Sequence, residues 1–522
     1  MFNQITPVAN PQGRGWPTTR YATLIINLLL WAGLSASLCL WPGAAPAQAS
    51  VSGRSATQSD QESDSLEPGK PVERELSGGQ SHSYKITTVS GQYLHVTVAQ
   101  RGIDVAVALF APDGKKIGEA DSKRLIEGSE TVSAITETPG AYLIEVRSPE
   151  KTAKTGRYEI KVEELRAATA EDKYRVAGES VFREAEQLKD GTMEAKRKGI
   201  EKYHEALELY RSANDRSGEA QTLNNIGAVY QLLGEMRKAL EKYNEALPIR
   251  RAVGDRRGEA ATVNNIGMIY GLLGEVQKAL EKFNEALPLW RAVGNRSGEA
   301  ATLNHIGQIY MSQGEMRKAL EKFNEAMPIS RAVGDRRGEA ATLTTIGMVY
   351  WSSGDMQEAL EKFNEALSIW LVMGDRRAEA AFTINNIGAV YSSLGDMQKA
   401  LEKYDEALPI MRAEGDRNGE AMTLNSIGVV YLSLGDTRKA LDKYNEALPI
   451  RRAVGDRMGE AQTLNNIGVV YSSLGDMQKA LDKYNEALPI LRAVGNRAVE
   501  ASTLNNLGMV YLSQGEMQKA LE

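Results

Sequence analysis

A five-residue phrase, Leu-Asn-Asn-Ile-Gly in its fullest form, returns through most of this chain, ending on Gly227, Gly267, Gly307, Gly347, Gly388, Gly428, Gly468 and Gly508. The step is 40 residues at every return but one, where Phe382-Thr383-Ile384 carries an extra residue and makes it 41. A fixed period of this length does not describe one closed core. Each unit is a supersecondary piece that buries its apolar face only against its neighbours.

Within residues 218–254 the apolar pattern has the helical period twice. A first helix runs from about Glu219 to Leu233, with Leu223, Ile226, Gly227 and Tyr230 on one face and Gln221, Asn224, Asn225, Ala228 and Leu232 on the other. Gly227 costs helix propensity, and close helix packing is the reason to keep it. Gly234 ends this helix. A second one turns Met236, Ala239, Leu240, Tyr243, Ala246 and Leu247 inward, and leaves Lys238–Glu241 and Lys242–Glu245 as outward i,i+3 pairs. Pro248, repeated as Pro288, Pro328, Pro409, Pro449 and Pro489 with Ser368 once, lies inside the second helix on its solvent side and is expected to bend it. Gly254 and Asp255 supply a stop and the next N-cap.

On Leu223, Ile226-Gly227, Tyr230, Gly234, Ala239, Tyr243 and Ala246-Leu247, the unit resembles the tetratricopeptide repeat. The 40-residue length and the Gly254-Asp255-Arg256 joint look most like the subtype in Pins-type scaffolds and bacterial repeat arrays. The resemblance implies a mainly α fold, a right-handed α-solenoid over residues 215–522 whose inner groove binds protein or peptide ligands. The proline falls about three residues earlier than the family's own, which leaves the end of the second helix open. Residues 166–214 form a linker helix and a degenerate first hairpin, with Ala177, Ala185, Leu188, Tyr203, Ala206, Leu207 and Tyr210 as its core. The last unit stops at Glu522 midway through its second helix, so a continuation, or self-association through that uncapped end, is expected.

From residue 68 to 165 the period drops to two. Leu94, Val96 and Val98 share a face, as do Val105, Val107 and Leu109, and turn signals such as Pro112-Asp113-Gly114-Lys115 and Pro139-Gly140 separate the runs. Seven or eight short strands in a small antiparallel β-sandwich follow. Leu76-Ser77-Gly78-Gly79-Gln80, Leu109–Gly114 and Gly140–Val146 make this stretch resemble the pre-peptidase C-terminal domain. In bacterial proteins of this layout the resemblance implies a following CHAT domain, a caspase-like peptidase, which this sequence does not include. His82 and His95 are expected on the solvent side of their strands.

Residues 1–49 have the make-up of an export signal or membrane anchor. Arg14 and Arg20 precede the apolar stretch Tyr21–Trp41, and Ala47-Gln48-Ala49 offers a cleavage site. Membrane contact is expected only through residues 21–41, and the remainder is expected in the periplasm, cell envelope or outside the cell. Residues 50–67, rich in Ser, Gln, Asp and Glu, read as a flexible linker.

These features narrow the function classes. Charged residues make up 25% with both signs interspersed and a net charge of −6, unlike a nucleic-acid binder. Cys39 is the single cysteine, and no motif for a cofactor, metal or nucleophile is present, so no catalysis is expected. The candidate partner-binding residues are the asparagines of the first helices: Asn224, Asn225, Asn264, Asn265, Asn304, Asn385, Asn386, Asn425, Asn465, Asn466, Asn505 and Asn506. Amides donate and accept, so such a ladder can hold an extended peptide by its backbone; the same amides can equally bond one another. No Lys or Arg stands between Leu223 and Gly234, unlike members that clamp acidic peptide ends. A binding scaffold is the leading expectation. The regulatory arm of a larger CHAT-type peptidase and a structural envelope spacer are the alternatives.

Overall fold

The computed structural model describes residues 64–121, 127–151, 153–374 and 377–521. The export segment, including Cys39 and Ala47-Gln48-Ala49, and residues 50–63 of the linker lie outside the described residues. Among those described, no helix is long and apolar enough to cross a membrane. They fall into two compact units, 64–282 and 283–521.

The first unit opens with nine strands: β1 (Asp64–Ser65), β2 (Val72–Leu76), β3 (Ser81–Thr88), β4 (Gln92–Arg101), β5 (Ala106–Phe110), β6 (Lys116–Ala120), β7 (Glu127–Ile135), β8 (Gly140–Arg147) and β9 (Gly156–Ala167). They form two sheets, ordered β1-β3-β8-β5-β6 and β2-β9-β4-β7, antiparallel except where β1 runs parallel to β3. Leu94, Val96, Val98, Val107, Leu109, Ile144 and Val146 fill the space between them with no measurable exposure, because alternate residues of each strand point to one side. The module starts earlier than Pro68: Asp64 and Ser65 pair with Tyr84 and Lys85, and Leu66 is buried in the core.

Both strand histidines differ from expectation. His82 Nδ1 meets the Tyr158 hydroxyl at 2.6 Å, and His95 Nδ1 meets Ser133 Oγ at 2.9 Å. Burial lowers the pKa of each ring and so disfavours its charged form; both belong to polar clusters.

From Ala170 onward the described elements are helices paired into hairpins. The first unit holds α1 (Ala170–Lys189), α2 (Met193–Ser212), α3 (Arg216–Leu232), α4 (Met236–Val253) and α5 (Arg256–Leu272), and the unit boundary falls inside α6 (Val276–Ala292). The second unit continues with α7 (Arg296–Ser312), α8 (Met316–Ala332), α9 (Arg336–Ser353), α10 (Met356–Met373), α11 (Arg377–Ser393), α12 (Met397–Ala413), α13 (Arg417–Ser433), α14 (Thr437–Val454), α15 (Arg457–Ser473), α16 (Met477–Val494), α17 (Arg497–Ser513) and α18 (Met517–Leu521). Odd-numbered helices are the first of each hairpin and even-numbered ones the second.

The hairpin ends follow from local chemistry. Gly254 closes α4 in the left-handed region at φ 75°, and Asp255 caps α5 by accepting from the Gly258 N–H at 2.8 Å. Pro248 does not end its helix: α4 runs on to Val253, and both the proline and Asn244, whose carbonyl loses a partner, are exposed to water. On the outer face Lys242–Glu245 forms at 2.6 Å, but Lys238 turns back to Glu235 at 2.7 Å instead of reaching Glu241.

The 41-residue step runs from Arg336, the first residue of α9, to Arg377, the first described residue of α11. α11 has the same 17-residue length as α7 and α13 and starts at an arginine as they do. Phe382-Thr383-Ile384, which carries the extra residue, lies in unbroken helix.

Candidate partner-binding face

At Gly227, Gly307, Gly347, Gly388, Gly428 and Gly468 a hairpin closes on a glycine against a ring of its second helix. A Cβ on Gly227 would stand 2.8 Å from Tyr243 Cε1, and one on Gly307 2.6 Å from Phe323 Cε1. The rings are buried, and the small-on-large fit sets how closely first and second helices approach. The first helices are thereby held side by side along the asparagine-bearing face.

Much of the asparagine ladder is engaged in joining one first helix to the next. In the first unit Asn224 Oδ1 accepts from Thr262 Oγ1 at 3.3 Å and from Asn265 Nδ2 at 3.5 Å. Asn225, 7% exposed, donates to Glu186 at 2.6 Å and accepts from Gln221 at 3.2 Å. Asn264 is half-buried, with Nδ2 toward the Met268 sulfur. In the second unit Asn304 donates to Thr342 at 2.8 Å, and Asn385 accepts from Thr423 at 3.0 Å. Asn425 and Asn465 accept from Asn466 and Asn506 at 3.2 and 3.3 Å. Asn385 and Asn386 are buried at 0% and 1% exposure, whereas Asn505 is exposed. His305, standing in for an asparagine, packs 5.4 Å from the Phe283 ring centroid, and burial pushes its pKa down to about 4.

A second recurring site is electrostatic. At Glu219, Glu259, Glu299, Glu339, Glu420, Glu460 and Glu500 a buried carboxylate near the start of a first helix is gripped by two arginines. One comes from the preceding helix, eight residues earlier, with Nε at 2.7–3.0 Å. The other lies three residues earlier on the same helix. Burial pushes the Glu259 carboxyl up, but Arg251 and Arg256 outweigh it and hold the pKa below its ordinary value. The repeated Arg-x7-Glu and Arg-x-x-Glu spacings were visible in the sequence; reading each helix separately missed them because the partners straddle a turn.

The β module is tied to the first hairpin through a polar junction. The Tyr93 ring lies near the guanidinium groups of Arg166, at 5.1 Å, and Arg175, at 6.0 Å. Arg183 donates to the Glu119 carbonyl at 3.2 Å. Burial against this surface raises the Glu179 carboxyl to about 7, with Ser133, Arg183 and Arg175 acting the other way and Asp215 adding to the rise.

The tetratricopeptide repeat model matches residues 193–252, 218–292, 258–332, 298–371, 379–453 and 459–522. The chain belongs to the tetratricopeptide repeat family. No curated protein matches it. Among solved structures it is similar to BtubC (BKLC) of P. vanneervenii, at 21% identity over 48% of this chain and 93% of that one, TM-score 0.37. It is also similar to the apo quorum sensor NprR of B. thuringiensis, at 15% identity over 61% of this chain and 88% of that one, TM-score 0.49. A signal-transduction ATPase with a tetratricopeptide repeat sensor from Pyrococcus horikoshii is similar at 16% identity over 62% of this chain and 50% of that one, TM-score 0.46.

Stacked tetratricopeptide hairpins present extended surfaces to partners. Here the first-helix positions Gln221, Asn224, Ala228, Gln231 and Leu232, and their counterparts at every later repeat, hold no charged residue. Amides, small hydroxyls, alanine, methionine and other apolar residues such as Leu232, Val429 and Trp351 make up this face.

Proposed function

We propose that this tetratricopeptide array is a scaffold that holds a peptide or protein segment along the inner face of its first helices. The uncharged composition of that face carries the reading. A neutral row of amides and apolar side chains matches the alternating N–H and C=O groups of an extended backbone, and offers nothing to a charged terminus or a phosphate. The contacting asparagines would be those with amide surface still open: Asn224, Asn264, Asn265, Asn304, Asn425, Asn466, Asn505 and Asn506, half-buried or exposed. Asn225, Asn385, Asn386 and Asn465 would support the face from beneath it.

The test is selection of a random-sequence displayed peptide library on the full chain. Enriched peptides should lose binding to a variant carrying Asn224→Ala, Asn264→Ala, Asn425→Ala and Asn505→Ala whose circular dichroism is unchanged. Binding that survives all four changes would place the ligand elsewhere.

We propose further that the protein is exported and works in the cell envelope or beyond it, on the strength of Arg14, Arg20, the apolar stretch Tyr21–Trp41 and Ala47-Gln48-Ala49. Fractionation of cells making the tagged full chain tests this. Recovery in the cytoplasm alone would refute it.

A further inference from the structure

Three links of the asparagine ladder share one geometry. The second amide of a pair donates to the first amide of the pair before it. Asn265 donates to Asn224 at 3.5 Å in the first unit, and Asn466 to Asn425 at 3.2 Å and Asn506 to Asn465 at 3.3 Å in the second. On α9 the pair is Thr344-Thr345, and the link fails on both sides of it. Thr345 stands where a donor to Asn304 belongs, but its hydroxyl donates to the Ala341 carbonyl at 3.0 Å. Asn304 Oδ1 is left buried without a hydrogen-bond partner. Thr344 stands where an acceptor for Asn386 belongs, and Asn386 Nδ2 is buried unpaired as well.

Its neighbours set which end of the Asn304 amide is unpaired. Nδ2 donates to Thr342 Oγ1 at 2.8 Å, and that hydroxyl spends its own hydrogen on the Gly338 carbonyl at 2.7 Å. The oxygen is the orphaned end. One turn later Gln308 Oε1 is also buried and unpaired, on a residue 8% exposed. The same place holds Met348 on α9, Val429 on α13 and Val469 on α15. Four residues apart on one helix, the two side chains are neighbours at about 5–6 Å. Each orphaned acceptor carries a desolvation cost that a donor would remove.

We infer that this break in the ladder is the anchoring point of the groove, where two backbone N–H groups of an extended segment meet Asn304 Oδ1 and Gln308 Oε1. The inference rests on the groove-binding reading above and adds the ligand's register and chemistry. N–H groups two residues apart on an extended strand point to one side, about 6–7 Å apart, close to the separation of the two acceptors. The terminal torsions of Asn and Gln are soft, so each oxygen swings toward a donor at little cost. Both anchoring residues of the ligand must carry an N–H, which proline lacks. An ammonium or guanidinium fits worse, because no charged residue stands on this face to compensate its burial.

The test uses peptides enriched on the full chain from the random-sequence displayed library. Remade with single N-methylated backbone amides, a binder should show two sensitive positions two residues apart, each costing about tenfold in affinity. Thr345→Asn gives Asn304 its missing donor and should weaken binding about tenfold while raising the melting midpoint. Gln308→Met should remove the sensitivity to one of the two N-methyl groups. Binders that depend on Asn224, Asn264, Asn425 and Asn505 yet ignore both Thr345→Asn and Gln308→Met overturn the anchoring point and leave the groove reading standing. Binders that ignore all six positions, or a library that yields none, overturn both. If Thr345→Asn does not fold, the N-methyl scan decides, and the absence of two sensitive positions at that spacing overturns the inference.

Discussion

Arg412 donates its Nε to Glu420 at 2.8 Å across the turn between α12 and α13; the arginine side chain is 48% exposed and the carboxylate 5%. This inequality decides which partner matters more. Removing the carboxylate releases two arginines that water already reaches. Removing both arginines strands a charge in a buried place. Glu420→Ala should therefore cost about 1 kcal/mol, and the double change Arg412→Ala with Arg417→Ala about 2–3 kcal/mol. Urea midpoints of the full chain check the order, and the account fails if the glutamate variant is the weaker of the two.

Two carboxyls on α1 should respond to pH in opposite directions. The Arg166 hydrogen bond, aided by Thr169, holds Asp172 down at about 2, so its stabilisation is present above the ordinary aspartate range and is lost as pH falls through about 2. Glu179 is raised to about 7 by burial, so its stabilisation is full below the ordinary glutamate range and disappears as pH rises through 7. Glu179→Gln should flatten the stability profile between about pH 4.5 and 7, and Asp172→Asn should flatten it between about pH 4 and 2. Thermal melts across both windows, with local hydrogen exchange in α1, read the two effects separately.

The repeat, its hairpin form and most of its core were legible because they depend on period alone. Leu223, Ile226, Ala239, Tyr243 and Ala246 are all buried, as one stripe per helix predicts. Thr222, Asn225 and Val229 are buried as well, because a first helix is enclosed by its own partner and by hairpins on both sides, wider cover than one stripe provides. The clamp was written in the sequence at a spacing of eight, but its meaning depends on how sharply the chain turns at Gly-Asp. The asparagine ladder showed the opposite difficulty. Duplication repeats structural and ligand-facing residues alike, and the hydrogen bonds that Thr262 donates to Asn224 and Asn466 donates to Asn425 exist only once neighbours are stacked.

Gly227 packs against Tyr243 with no room for a methyl group. Gly227→Ala gains about 1 kcal/mol of helix propensity, but forces the ring aside at a cost of about 1–3 kcal/mol. The net change should be destabilising. It should be smaller in a Tyr243→Leu background, where the ring is absent, so the two substitutions should be non-additive in a double-mutant cycle. Additive losses would mean that the glycine is kept for some reason other than this contact.

Glu358 is the odd member of another repeated pair. In the other described hairpins from α3 onward, a lysine eight residues after the first-helix tyrosine lies over its ring, as Lys238 does over Tyr230 at 5.3 Å and Lys439 over Tyr431 at 5.2 Å. The same lysine reaches back to the acidic residue opening the second helix, as Lys439 does to Asp436 at 3.0 Å. In α10 the position three after Asp355 and eight after Tyr350 is Glu358, which sets two like charges near each other and leaves the electron-rich ring without a cation from this position. Glu358→Lys should supply both missing contacts and raise the melting midpoint by about 2 °C. The gain should vanish in a Tyr350→Leu, Asp355→Ala background, since nothing then remains for the lysine to meet. A rise that persists there would trace the benefit to net charge, not to the ring and the carboxylate.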